Sequence, residues 1–74
     1  MRVSVRGVAE VAREIRTATK WSQVDLATKL RVHQVTVARW EQQHEDIQRM
    51  NREVFLTLRE LAMQNGVKTQ LELV

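Results

Sequence analysis

Acidic and histidine side chains are the residues of this sequence that could carry catalysis or hold a metal ion. Three carboxylates, Asp25, Glu41 and Glu45, could form an acid–base set, but they are dispersed along the chain and nothing indicates that they share one site. His33 and His44 could begin a metal site, but no third ligand stands at a useful spacing and the sequence has no cysteine. The sequence therefore predicts no catalytic residue, no metal site and no cofactor.

The length of the chain limits what kind of site it can build. Its 74 residues include no cysteine, no proline and two glycines. One domain of this size hides only about 60% of the surface of the unfolded chain, which leaves little room for a buried pocket. Its stability must come from packing or from association with a second copy. The longest apolar runs, 54–56 and 61–63, are too short to cross a bilayer, so we expect a cytoplasmic protein without membrane contact.

Basic side chains are concentrated in one part of the chain. The whole sequence has 12 Lys and Arg against 9 Asp and Glu, a net charge of +3. From Arg16 to Arg39, five basic side chains stand against one acidic side chain, Asp25, a net charge of +4. Such a segment would attract a polyanion. A merely solvated helical surface is the alternative interpretation.

Apolar residues at spacings of three and four predict amphipathic helices through most of the chain. The four predicted helices cover residues 8–19, 23–30, about 33–42 and about 51–64. Ser22 and Asn51 are suited to cap the second and fourth helices, and Asn65-Gly66 to end the fourth. The polar, poorly periodic segment 43–50 predicts a loop. The inward side of the middle helices is predicted to hold Leu26, Ala27, Leu30, Val37 and Trp40.

Both ends of the chain alternate with a period of two, which is typical of strands. Val3 and Val5 alternate with polar residues, as do the apolar residues of segment 67–73. A lone two-stranded ribbon is marginal in water, so these strands would pair with each other or across a dimer; frayed termini are the alternative. The expected fold class is therefore all-α, one small four-helix domain over residues 1–74 with short terminal strands, and the tail 67–74 is a candidate dimerisation strand.

The segment QVDLATKLRVHQVTVARW, residues 23–40, is typical of two helices joined by a tight turn. Ala27 supplies a small residue where the helices would cross closely. This pattern resembles the helix-turn-helix of phage repressors, Cro proteins and the wider Xre-type regulators. The resemblance includes Gln23, the run Val32-His33-Gln34 and the ending Arg39-Trp40-Glu41. It covers roughly residues 8–64 and implies a lambda-repressor-like domain with its helix-turn-helix at 23–41.

The resemblance implies that the second helix of the motif enters the major groove of duplex DNA. The residues expected to face bases are His33, Gln34, Val35, Thr36, Ala38 and Arg39. Gln34 would bond adenine, Arg39 would bond guanine, and Gln23 would bridge a phosphate and Gln34. The residues expected to contact the DNA backbone are Lys20, Ser22, Gln23, Lys29, Arg31 and Gln43.

Some positions depart from the family pattern or have a structural interpretation. Arg31 stands where the turn usually holds a glycine with positive φ, which costs on the order of 1 kcal/mol for a residue with a Cβ. Gln43 stands where a glycine often follows Trp-Glu. Glu41 is expected to pair with Arg13 or Arg16, and the two tryptophans are expected in the core. Many relatives continue with a fifth helix, and its absence from this sequence favours a dimer.

The resemblance implies a sequence-specific transcription regulator, most simply a repressor that binds a pseudo-palindromic operator as a homodimer. The alternative is a protein-interaction module, such as an antitoxin or adaptor. It is supported by the acidic C-terminal half and its apolar stripe at 50–61. RNA binding comes third, because no aromatic platform for unstacked bases is visible.

Overall fold

Four helices and three strands make up the described part of the chain, residues 1–42 and 46–74 of the computed structural model. In chain order they are β1 (Arg2–Arg6), α1 (Val8–Thr19), α2 (Gln23–Leu30), α3 (Gln34–Gln42), β2 (Ile47–Asn51), α4 (Arg52–Gln64) and β3 (Glu72–Leu73). The four predicted helices are confirmed, with bounds that differ by at most one residue.

The helix starts follow from local capping. Ser22 caps α2 through a capping box: its hydroxyl accepts from the Asp25 main-chain N–H at 3.1 Å, and the Asp25 carboxylate accepts from the Ser22 N–H at 3.0 Å. Asn51 caps α4, because its side-chain oxygen accepts from the Glu53 N–H at 2.9 Å. Both predicted caps are therefore confirmed. Helix α4 ends at Gln64 and is followed by its C-cap Asn65 and by Gly66, which has φ of 68°.

A small antiparallel sheet makes the predicted all-α class only approximate. Its strand order is β2-β1-β3, with Val3 opposite Met50 and Val5 opposite Leu73. The predicted terminal strands pair with each other within one chain. In the tail, however, only Glu72–Leu73 forms a strand. This pairing leaves β2 and β3 at the edges and β1 in the middle.

The loop predicted over 43–50 is wrong for its second half, which is strand β2. The two apolar residues of β2, Ile47 and Met50, stand three positions apart, so they give no period of two. In the folded chain Ile47 is 39% exposed and Met50 is buried. The strand forms because its backbone pairs with β1, far away in sequence. Such tertiary context outweighs a weak local pattern.

The hydrophobic core lies between the four helices and one face of the sheet. All five residues predicted to face inward from the middle helices are buried. Trp40 is buried, and Trp21 is half-buried and packs against the core. Among the described residues, the buried apolar set is Val5, Val8, Val11, Ala12, Ile15, Leu26, Ala27, Leu30, Val37, Trp40, Met50, Phe55, Leu58 and Ala62. None of the helices within residues 1–42 and 46–74 is long and apolar enough to cross a membrane.

Candidate nucleic-acid interface

The turn between α2 and α3 is built around Arg31, which has φ of 59° and ψ of 41°. This is the left-handed conformation in which glycine is favoured. An arginine here, where the family usually has glycine, therefore costs conformational free energy. The chain reverses there through two hydrogen bonds. The Arg31 N–H donates to the Thr28 carbonyl at 3.2 Å and the Val32 N–H to the Ala27 carbonyl at 3.0 Å. Ala27 is buried, and α2 packs against α3.

Helix α3 has an inward apolar side and an outward polar side. Val37 and Trp40 lie in the core and fix how the helix is rotated. The six residues predicted to face bases all lie at the surface: His33, Gln34, Val35 and Arg39 are exposed, and Thr36 and Ala38 are half-buried. The structure therefore places five of these residues on α3 and His33 directly before its first residue.

A hydrogen bond joins the first residues of α2 and α3. The Gln34 side-chain amide donates to the Gln23 side-chain oxygen at 3.1 Å. Gln34 is exposed and Gln23 is half-buried, so the pair stands at the edge of the surface formed by α3. The bond limits the rotamers of both side chains and leaves each amide further donor and acceptor capacity. A bound group at this edge would meet two prepositioned amides.

The predicted backbone-contacting residues lie on α2, just before it and in the turn that follows it. Lys20, Ser22, Lys29 and Arg31 are exposed. The Lys29 ammonium lies 5.5 Å from the centroid of the Trp21 ring, a cation–π contact that orients it next to the start of α2. Gln43, also predicted to contact the backbone, lies outside the described residues, as does His44.

Arg16, one of the five basic residues counted between Arg16 and Arg39, makes its contacts within the protein. The Arg16 guanidinium lies 2.6 Å from the Glu41 carboxylate and also donates to the Trp21 carbonyl at 3.2 Å. Arg13 donates to the main-chain carbonyl of Glu41. The predicted pairing of the Glu41 carboxylate is thus confirmed with Arg16, whereas Arg13 contacts only the main chain of Glu41. It ties α1 to α3, and it assigns Glu41 a structural role.

The Asp25 carboxylate is likewise structural. Its pKa lies below its ordinary value of 3.8, chiefly because the Ser22 main-chain N–H donates to it. The Ser22 hydroxyl and the Lys29 charge also lower this pKa, while burial opposes them. A carboxylate held ionised at a helix N-terminus stabilises that terminus. The described residues contain no group of three or more His, Cys, Asp or Glu that could hold a metal ion.

Three residues near the turn were not predicted to adjoin the site. Asn51, Glu53 and Thr57 line a surface depression together with Lys29 and Arg31. The start of α4 therefore lies beside the α2–α3 turn. No spacing in the sequence indicates this neighbourhood, because it arises from the packing of α4 on the core.

Comparison with known proteins identifies the part of the chain that forms this surface. A family model described as "Helix-turn-helix" matches residues 13–48, from within α1 to the start of β2. This match contains the complete α2–turn–α3 unit and the Arg13, Arg16 and Glu41 contacts. No curated protein and no solved structure matches the chain.

Proposed function

We propose that this protein recognises a specific duplex sequence, because a helix-turn-helix family model matches residues 13–48, in agreement with the resemblance to Xre and Cro proteins. The outward face of α3 enters the major groove, where base edges present distinct donors and acceptors. The protein acts as a repressor: a homodimer covers a pseudo-palindromic operator and excludes polymerase by occupying it.

The observation that carries this proposal is the Gln34–Gln23 hydrogen bond at the exposed first turn of α3. It holds Gln34 with its remaining amide groups free to bond an adenine, as a bidentate reader of that base requires. Gln23 then offers its own amide to a phosphate beside the same base pair. Arg39, exposed on the same helix, is the reader of guanine, and Val35 lies against a thymine methyl group.

Basic side chains around α3 supply the affinity that does not depend on sequence. Lys20, Lys29 and Arg31 are exposed at both ends of α2 and contact phosphates, which fixes the register of the protein on DNA. Two copies carry twice the net charge of +3, so the complex releases counterions and weakens as salt is added.

Selection of bound sites from a random duplex pool tests this function. We expect enrichment of one short motif in two inverted copies, with centres about 10–10.5 base pairs apart or a multiple of that spacing, because two recognition helices must meet successive major grooves on one face. A pool that shows no enrichment at any salt concentration would overturn sequence-specific binding. Enrichment of a single unrepeated motif would retain specific binding and overturn the dimeric operator.

A protein-interaction module is the second candidate function, and one observation favours it. Met63 and Leu56 on α4 are 75% and 37% exposed, which leaves apolar surface away from the helix-turn-helix. Such a module would bind duplex DNA without sequence preference and lose that binding at moderate salt. The site selection therefore separates the two functions directly.

A further inference from the structure

Helix α4 carries an outward stripe of four residues that its own chain does not cover. The inward side of α4 lies in the core, whereas Met63 is among the most exposed apolar residues of the described chain. Residues three and four apart stand next to each other on a helix surface. We call this set the α4 stripe; it consists of Leu56, Arg59, Glu60 and Met63.

The α4 stripe is complementary to a second copy of itself. Its order along the helix is apolar, basic, acidic, apolar. If two α4 helices lie antiparallel with a two-fold axis between Arg59 and Glu60, Leu56 faces the partner's Met63 and Arg59 faces the partner's Glu60. Symmetry then repeats both contacts, as in any isologous interface.

The two charged members of the stripe lack an ion pair of their own within the described residues. The Arg59 guanidinium lies 5.5 Å from the centroid of the Phe55 ring, which orients it on the helix surface. The Glu60 carboxylate accepts from the Gln64 side-chain amide at 3.3 Å. Both charges are thus held at the surface, and a second copy would supply the opposite charge for each.

Apolar surface continues beyond Met63. A groove of about 470 Å³ runs from Arg59 and Met63 to the tail, where Ala62, Val67 and Leu71 contribute its apolar lining. In the antiparallel arrangement the first half of the partner's α4 lies along this groove. The contact would therefore bury Leu56 and Met63 of both copies together with part of the tail.

We infer that two copies of this chain associate through the α4 stripe as a two-fold symmetric dimer. A helix of this length is only about 20 Å long, so the pair covers less than the roughly 800 Å² per partner of a standard interface. The dimer is therefore weak and reversible. The inference rests on the proposed function, because it specifies the interface of the proposed homodimer. Association is measured without DNA, so dimerisation through α4 and sequence-specific DNA binding can each fail while the other holds.

Charge reversal on the α4 stripe provides the test, with association of the full chain measured by sedimentation velocity without DNA. In the dimer, Arg59→Glu places like charges opposite each other at both symmetry-related contacts, and so does Glu60→Arg. We expect each variant alone to lose at least about tenfold in dimer affinity, since such juxtaposition is strongly unfavourable. An equimolar mixture of the two restores every opposite-charge contact, so it forms a heterodimer, and the double variant R59E/E60R again forms a homodimer.

Glu14→Arg is the matched control, because Glu14 is exposed on α1 and the substitution changes the net charge by the same amount as Glu60→Arg. It should leave association unchanged, and circular dichroism checks that every variant remains helical. The inference is overturned if the wild-type chain stays monomeric at all accessible concentrations. It is also overturned if both single variants still dimerise, which would place the contact elsewhere, such as the open edge of β2. A mixture of the two variants that shows no heterodimer would overturn it as well.

Discussion

At the scale of single residues, Gln34 and Arg39 are expected to determine which base pairs are read. Replacing either by alanine removes a bidentate contact, so Gln34→Ala or Arg39→Ala should cost about 1–3 kcal/mol in binding to the selected site. Each substitution should also relax the preference at one base pair in each half-site. Binding measurements on the selected duplex and on its single-base variants check both effects.

The matched control for Arg39→Ala is Arg2→Ala, which removes the same charge at an exposed position of β1, outside the helix-turn-helix. It should leave the base preference unchanged. If both α3 variants kept wild-type affinity and wild-type preference, α3 would not be a recognition helix.

Arg31 combines a backbone cost with a predicted phosphate contact, and two substitutions separate these effects. Arg31→Gly relieves the left-handed conformation and should raise the free energy of unfolding by about 0.5–1 kcal/mol, less than the full strain because glycine also gains entropy in the unfolded chain. Arg31→Ala removes the same charge but keeps the strain. Chemical denaturation should therefore show a gain only for glycine, whereas titration with DNA should show similarly weakened binding for both. A glycine variant no more stable than the alanine variant would contradict this account.

At the scale of elements, Arg16 holds α1, α3 and the start of α2 together. Removing it leaves the nearly buried Glu41 carboxylate without its cation. We expect Arg16→Ala to lower the free energy of unfolding by about 2–3 kcal/mol, below the usual cost of breaking a buried pair because the Arg16 side chain is 28% exposed.

The double variant R16A/E41A provides the comparison, since it removes the uncompensated charge as well as the pair. It should lose less stability than Arg16→Ala in the same urea titration. Equal losses in the single and double variants would show that Arg16 acts through its bond to the Trp21 carbonyl alone.

The capping box of α2 makes part of the stability depend on pH. Because the pKa of Asp25 is lower in the folded chain than in the unfolded chain, its contribution is present above the unfolded value and is lost as pH falls through the folded value. The stability difference between wild type and Asp25→Asn should therefore be constant near neutral pH and shrink below about pH 4. Urea titrations at a series of pH values measure this difference, and one that stays constant down to low pH would contradict it.

At the scale of the whole molecule, the exposed charges around the helix-turn-helix should control how binding responds to salt. If Lys29 contacts a phosphate, Lys29→Ala should weaken binding to all duplexes alike and reduce the slope of log K against log salt by about 0.9 per half-site. Lys68→Ala is the matched control in the C-terminal segment, and its slope should equal that of wild type. A loss confined to one sequence, or an unchanged slope, would exclude a phosphate contact by Lys29.

A chain with a thin core can carry the proposed function because the proposed recognition surface, the outward side of α3, lies on the outside of the domain. The core only has to fix the rotation of α3, which Val37 and Trp40 do from the inward side. The α4 stripe lies on a separate helix, so a second copy could add apolar burial without covering α3. Recognition and association can therefore be tested independently.

Features that depend on local periodicity and local hydrogen bonding could be predicted from the amino-acid sequence. The four helices, the Ser22 and Asn51 caps and the inward residues of α2 and α3 were all predictable, because each follows from residues within a few positions of one another. The pattern of residues 23–41 also indicated the helix-turn-helix family, since its small crossing residue and apolar anchors have fixed spacings. A pairing of Glu41 with an arginine of α1 was also predicted, and the structure shows it with Arg16.

Features that join distant parts of the chain depend instead on tertiary packing. Strand β2 could not be predicted, because its apolar residues do not alternate and its pairing partner β1 lies far away in sequence. The placement of Asn51 and Thr57 beside the α2–α3 turn depends on how α4 packs on the core. The choice of Arg16 rather than Arg13 as the partner of the Glu41 carboxylate depends on how α1 packs against α3. Helical periodicity is a local property, whereas strand pairing and surface neighbourhoods are long-range contacts that exist only after the chain has folded.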